Sequence, residues 1–239
     1  SEVEDILRRL AELNKRLIDK LRELIDRIAR LNEELLRVVE DILSRLKRLA
    51  DELIRVVRER GDIPEELLRK LEEELKKIVD ELRRLVEEYE KALRDLIKEL
   101  RKAVEEYRRT LAELVERLRR LEGPEELLKD LAEDVSRNIK AVEEVIRRFE
   151  KNVEDNIEVV RRLVDALEKL VRRLESVLRG KGSDEDLKRL LEKLKEDVER
   201  VLKEVRDRTA ESLKHLEDVI RELEKKTEDS LRHMEERRK

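Results

Sequence analysis

For stretches of roughly sixty residues at a time, Leu, Ile and Val return at every third or fourth position. In the first stretch the apolar stripe runs Leu21, Leu24 or Ile25, Ile28, Leu31, Leu35, Val39, Ile42, Leu46, Leu49, Leu53, Val56. Side chains at that spacing share one face of an α-helix, and such a face must be covered by other helices. The extra step of four from Leu31 to Leu35 to Val39 stretches the heptad toward about 3.6 residues per turn, which predicts nearly straight helices.

Interruptions are confined to four Gly and two Pro. In Gly61-Asp62-Ile63-Pro64, Gly61 reads as a left-handed helix stop, and Pro64 opens the next helix where a missing N–H costs nothing. Gly123-Pro124 repeats the device, and each Pro is followed by Glu-Glu-Leu-Leu, whose acidic pair suits a helix N-terminus. The third break, Gly180-Lys181-Gly182-Ser183, is longer, with Ser183 and Asp186 resembling a capping box. The expected helices span about 2–60, 64–122, 124–179 and 184–239, roughly 55 to 59 residues and about 80 Å each. The fold class that follows is all-α: one single-chain, up-down-up-down, antiparallel four-helix bundle over residues 1–239. Charged residues make up 52% of the chain, yet 60 Lys+Arg oppose 64 Asp+Glu, and the apolar repeat never lapses, so disorder is not expected. Exposed positions carry i,i+4 pairs such as Glu72 with Lys76 and Glu73 with Lys77.

Polar residues interrupt the stripe on a second period. Asn14 and Asn32, Tyr89 and Tyr107, Asn138 and Asn156, and Thr209-Ser212-His215 against Thr227-Ser230-His233 each recur after about 18 residues, or about five helical turns. Asn14, Asn32, Tyr89, Tyr107, Asn138, Asn156, Ser212 and Ser230 stand where Leu or Val would continue the pattern, so they are expected to be buried. Antiparallel helices on short loops bring together positions that reflect about the loop between them. The midpoints of Asn14 with Tyr107, of Tyr107 with Asn138, and of Asn138 with Ser230 fall in or close to the three Gly/Pro breaks. Two polar layers follow, Asn14/Tyr107/Asn138/Ser230 and Asn32/Tyr89/Asn156/Ser212, about 27 Å apart. A buried hydroxyl or amide without a partner costs about 1–3 kcal/mol, so the members of each layer must hydrogen-bond across helices. Their role would be to penalise wrong registers and wrong partners. Thr227 and His233 would extend the first layer, Thr209 and His215 the second, with Asn152, Ser136 and Thr110 as weaker candidates.

No pattern of reactive residues emerges. Without Cys there is no disulfide, thiol nucleophile or Cys-containing zinc site. No apolar run reaches the roughly 18 residues of a membrane span, no signal-peptide pattern opens the chain, and the mixed charges form no basic stripe for nucleic acid or membrane. A soluble protein is expected, cytoplasmic if expressed recombinantly. Three residues before His215 and His233 stand Ser212 and Ser230, not the Glu of a dimetal bundle, so no metal is expected. If both histidines were buried and neutral, stability would fall on acidification, an alternative pH-responsive role. Tyr89, Tyr107 and the carboxylate pairs lack a nucleophilic constellation, and Phe149 reads as core. Neither a cofactor, a required partner nor an enzymatic activity is expected.

Long idealised helices, Glu-Glu after Pro caps, the five-turn repeat and the Asn/Tyr/Ser/Thr/His layers together resemble de novo designed helical bundles with buried hydrogen-bond networks. The resemblance covers the whole chain, and the Ser1 start without Met looks like a cleaved expression product. It implies a structural scaffold without evolved activity. The less idealised third break raises an alternative: an assembly or switch module that exchanges hairpins, derives from a heterodimer, or uses the last helix as a latch. A natural spectrin-like or lipid-exchange protein fits less well, lacking the Trp and irregular loops of the one and the frequent Pro breaks of the other.

Overall fold

Acidic residues open the helices and basic residues close them, as the helix dipole favours. The computed structural model describes residues 2–180 and 184–238. These form α1 (Glu2–Arg60), α2 (Glu65–Arg120), α3 (Glu125–Arg179) and α4 (Asp184–Arg238), of 59, 56, 55 and 55 residues. The protein is all-helical, and no described residue lies in a strand. Glu65 and Glu66 begin α2 and Glu125 and Glu126 begin α3, while Arg58 and Arg60 end α1 and Arg117, Arg119 and Arg120 end α2.

The two Gly/Pro breaks work differently. Gly61 adopts the left-handed conformation, φ 77°, and its N–H reaches the Val57 carbonyl at 2.9 Å, so α1 stops as expected. Gly123 does not repeat this, because α2 ends at Arg120 and Gly123 lies beyond the capping position. There the Leu121 N–H turns back to the Leu118 carbonyl at 3.3 Å, a tighter three-residue closure. Both prolines serve as helix openers: Leu68 N–H bonds the Pro64 carbonyl and Leu128 N–H the Pro124 carbonyl. The Ser183–Asp186 cap lies outside the described residues.

Contacts divide the chain into two compact units, each holding a segment of all four helices. Unit 1 comprises Ser1–Ala29, Leu93–Glu154 and Ser212–Lys239; unit 2 comprises Arg30–Ala92 and Asp155–Glu211. Within unit 2, partners descend along α2 as they ascend α1: Asn32 with Tyr89, then Arg45 with Glu81 and Glu74. The same opposition joins α1 to α4 through Glu40–Arg206, Lys47–Glu199 and Asp51–Lys195, and α2 to α3 through Glu72–Arg179, Arg83–Glu168 and Glu90–Arg161. Glu72 is therefore engaged by Arg179 across helices, not by Lys76 along its own. Within unit 1, Asp5–Arg117 and Arg27–Glu99 join α1 to α2, and Arg101–Glu150 and Arg108–Glu143 join α2 to α3. Arg148–Glu222 and Asp130–Arg237 join α3 to α4, and Arg22–Glu224 closes the circuit from α1 to α4. Most of these pairs are solvent-exposed, so each contributes little and burial carries the stability.

In unit 2 the buried line on α1 departs from the expected stripe near the helix end. Ala50 and Val57 are buried, whereas Leu49 and Val56 are half-buried flanks. Ala50 stands one polar repeat beyond Asn32, so the core follows the five-turn period more strictly than the apolar pattern suggested. Leu71 and Leu174 stand one such repeat from Tyr89 and Asn156, and both are buried. The polar register thus continues within unit 2 as an apolar layer. Phe149 is buried in unit 1, and no large apolar side chain is exposed among the described residues.

Candidate functional site

Each unit encloses one hydrogen-bonded trio drawn from α1, α2 and α3. In unit 1, Tyr107 Oη donates to Asn14 Oδ1 at 2.7 Å, and Asn138 Nδ2 donates to Tyr107 Oη at 2.9 Å and Asn14 Oδ1 at 3.2 Å. In unit 2, Tyr89 Oη donates to Asn32 Oδ1, and Asn156 Nδ2 donates to Tyr89 Oη, both at 2.5 Å. All six side chains are buried. Burial pushes the pKa of both phenols well above the ordinary tyrosine value, only partly opposed by the bonds from Asn156 and Asn138. Both hydroxyls therefore stay protonated at neutral pH and serve as donors to an amide oxygen.

α4 contributes differently from expectation. Ser212 does not join the Asn32 trio: its Oγ donates to Asn152 Oδ1 at 3.2 Å, and Asn152 Nδ2 donates to the Ser212 carbonyl at 3.0 Å, a two-residue clasp inside unit 1. Ser230 is half-buried, and among the described residues no hydrogen bond ties it to the Asn14 trio. Thr209 and Thr227 are buried, but their hydroxyls bond carbonyls of their own helix, Val205 and Leu223 at 2.7 and 2.9 Å. His215 and His233 are exposed and do not extend the layers. The reason is angular: six residues beyond a buried Thr is about 600° of helix, which leaves the His about 120° away from the core direction. The pH-responsive alternative needed buried histidines and loses its basis. Ser136 and Thr110 are also exposed.

Asp134 went unrecognised in the sequence. It is 3% exposed, with Oδ1 3.3 Å from Arg137 and Oδ2 3.1 Å from Arg237 Nε. Arg237 also reaches Asp130 at 2.9 Å, and its Nε donates to His233 Nε2 at 3.2 Å. A signal did exist: Asp134 stands one five-turn repeat before Asn152, so the two share the α4-facing register of α3.

Beside each tyrosine lies a groove between α1 and α2. One, of about 520 Å³ in unit 1, is lined by Leu13, Leu17, Ala103, Tyr107 and Thr110 with a charged rim; the other, of about 420 Å³ in unit 2, by Leu31, Leu35, Leu85, Tyr89 and Ala92. Among the described residues no group of three His, Cys, Asp or Glu is arranged to hold a metal ion, and no helix is long and apolar enough to cross a membrane.

These features define an all-helical, bundle-like protein with two polar centres inside apolar cores. No protein-family model matches the chain, and no curated protein is significantly similar to it. Solved structures similar to the chain include two described as follows. One, described as "Computationally designed three helix bundle", is 19% identical with a TM-score of 0.45, covering 89% of this chain and 92% of that one. The other, described as "An oligomerised bacterial dynamin pair provides a mechanism for the long-range sensing and tethering of membranes", is 11% identical with a TM-score of 0.22, covering 99% of this chain and 52% of that one. With similarity this loose, the description of the fold rests on the chain's own contacts.

Proposed function

We propose that this chain is a designed structural scaffold in which neighbouring helices run antiparallel, up-down-up-down, and the buried trios specify register and pairing. The observation that carries the reading is the pair of Asn–Tyr–Asn trios, recurring on the five-turn period and each assembled from three helices. A one-residue slip of α2 rotates Tyr107 by about 100° out of its trio, removes both of its hydrogen bonds and leaves Asn14 and Asn138 only the 3.2 Å bond between them, at about 1–3 kcal/mol for each buried group left unpaired. Leu in the same places would tolerate that slip with far smaller penalty. The opposed numbering of the inter-helix ion pairs supports antiparallel neighbours. A satisfied polar layer adds little stability over an apolar one, so what it contributes is selectivity among pairings. In this reading the chain catalyses nothing and needs no cofactor or partner. Light scattering on the purified protein tests it: one 28.8 kDa chain per particle fits intramolecular pairing, and a doubled mass refutes it.

A second reading, α4 as an exchangeable latch, is favoured by one observation. The buried hydroxyls of Thr209 and Thr227 are satisfied within α4 itself, so α4 can separate without stranding them, whereas α1, α2 and α3 are tied by the trios. Native-state hydrogen exchange decides between the two. Amides of α4 opening at lower free energy than those of α1–α3 support the latch, and a single opening energy throughout excludes it.

A further inference from the structure

The trio of unit 1 does not close on itself. Tyr107 has one O–H, directed at Asn14 Oδ1, and the two N–H groups of Asn138 go to Asn14 Oδ1 and Tyr107 Oη, so the acceptor positions of Asn14 Oδ1 are filled. Two buried atoms are left over, Asn14 Nδ2 and Asn138 Oδ1, one purely a donor and the other purely an acceptor. In unit 2 the leftover buried atom is Asn156 Oδ1, an acceptor. Turning over the Asn138 amide alone gives no relief, because its oxygen would then face the oxygen of Asn14. The neighbouring turns supply no bonded partner either: Leu10, Leu17, Val135 and Val142 are apolar and buried, the buried Asp134 carboxylate faces Arg137 and Arg237, and helix carbonyls are engaged by their own ladder.

A partner from outside the chain must be small enough for a close-packed interior, neutral, and able both to donate and to accept. Water meets all three requirements, and polar interior sites with two or more partners characteristically hold it. We propose that the trio of unit 1 is a binding site for an ordered water molecule. The water accepts from Asn14 Nδ2 and donates to Asn138 Oδ1; unit 2, where Asn156 Oδ1 alone is left over, lacks the second partner. Tyr107 forms part of a surface groove, which gives solvent a short route to the trio. The proposal holds whether the chain acts as scaffold or latch.

The test is water-selective NMR on the full chain labelled with 15N, reading cross-peaks between bulk-exchanging water and the side-chain amides of Asn14, Asn138 and Asn156. The expected result is slow-tumbling water contacts at Asn14 and Asn138, with Asn156, which has no second leftover partner, as the comparison. In Asn138→Val, which removes one of the water's two partners and keeps the Asn14 amide as reporter, the contact at Asn14 should be lost or fall several-fold. Absence of water cross-peaks in the parental protein overturns the proposal, all the more plainly if a through-hydrogen-bond coupling shows Asn14 Nδ2 paired directly to Asn138 Oδ1.

Discussion

Removing one polar group from a trio should cost stability, and removing all three should not. Tyr107→Phe deletes one hydroxyl that takes part in two hydrogen bonds, at 2.7 and 2.9 Å, in a site only 2% exposed. At about 0.5–1.5 kcal/mol net per bond, less the cost of desolvating the hydroxyl, the loss should be about 1–2 kcal/mol. Asn14→Val strands the Tyr107 O–H and weakens the hold on Asn138, at about 1–3 kcal/mol for each group left unpaired, partly offset by the apolar area that Val buries. The triple variant N14V/Y107F/N138V has no polar group left to strand, and also removes the unpartnered atoms of Asn14 and Asn138. Its stability should therefore lie within about 1 kcal/mol of the parent or above it, less a few tenths for the helix propensity of Val. Guanidinium unfolding followed by circular dichroism gives each difference, with the slope checked for two-state behaviour. A triple variant that loses as much as the two single variants combined would refute the reasoning, for the trio would then be a net source of stability.

Three further outcomes follow from particular contacts. Arg237→Ala withdraws a cation from the buried Asp134 carboxylate, and because Arg237 is partly exposed and Arg137 remains at 3.3 Å, the cost should be about 1–2 kcal/mol, read as a Tm fall of several degrees and recovered by adding Asp134→Asn. Gly61→Ala meets no obstructing atom, so its penalty should be the left-handed backbone alone, about 1 kcal/mol by chemical denaturation. Bonds from Arg117 to Asp5, from Lys47 to Glu199, and from Arg148 and Lys226 to Glu222 hold these carboxyls below their usual range. Their stabilisation is complete above the unfolded-state values and lost as pH falls through the folded ones, so Tm should be level down to about pH 5 and decline below about pH 4. A decline already present between about pH 7.5 and 5.5 would contradict this assignment.

The helices were legible because Gly and Pro are so few and the apolar period so regular. The trios were legible because Asn14, Tyr107 and Asn138 reflect about the breaks beside Gly61 and Gly123, a relation that side-chain chemistry alone would not reveal. α4 was misread for an equally physical reason. Its polar residues come as Thr, Ser and His at steps of three, spread over about 120° of the helix circumference, and only packing decides which step faces inward. The structure buries Thr209 and Thr227 on the line through Val205 and Leu223, leaves the serines at the flank and turns the histidines out. Asp134 was passed over because a lone carboxylate among so many charged residues looks solvated. Only its five-turn relation to Asn152 and the cations of Arg137 and Arg237 mark it as interior. Gly123 misled through its likeness to Gly61, since the same residue beside the same Pro sits beyond the capping position once the helix ends earlier.

The central claim, that the trios select one pairing of helices, is tested most directly by replacing all six residues at once, the asparagines at 14, 32, 138 and 156 by Val and the tyrosines at 89 and 107 by Phe. Solution mass and the 1H–15N spectrum are then compared with those of the parent. The account predicts a protein at least as stable as the parent that no longer holds one arrangement, with more than one mass or more than one set of resonances. A variant with a single mass and a single, parent-like spectrum would contradict it and leave specification to the apolar core and the breaks alone.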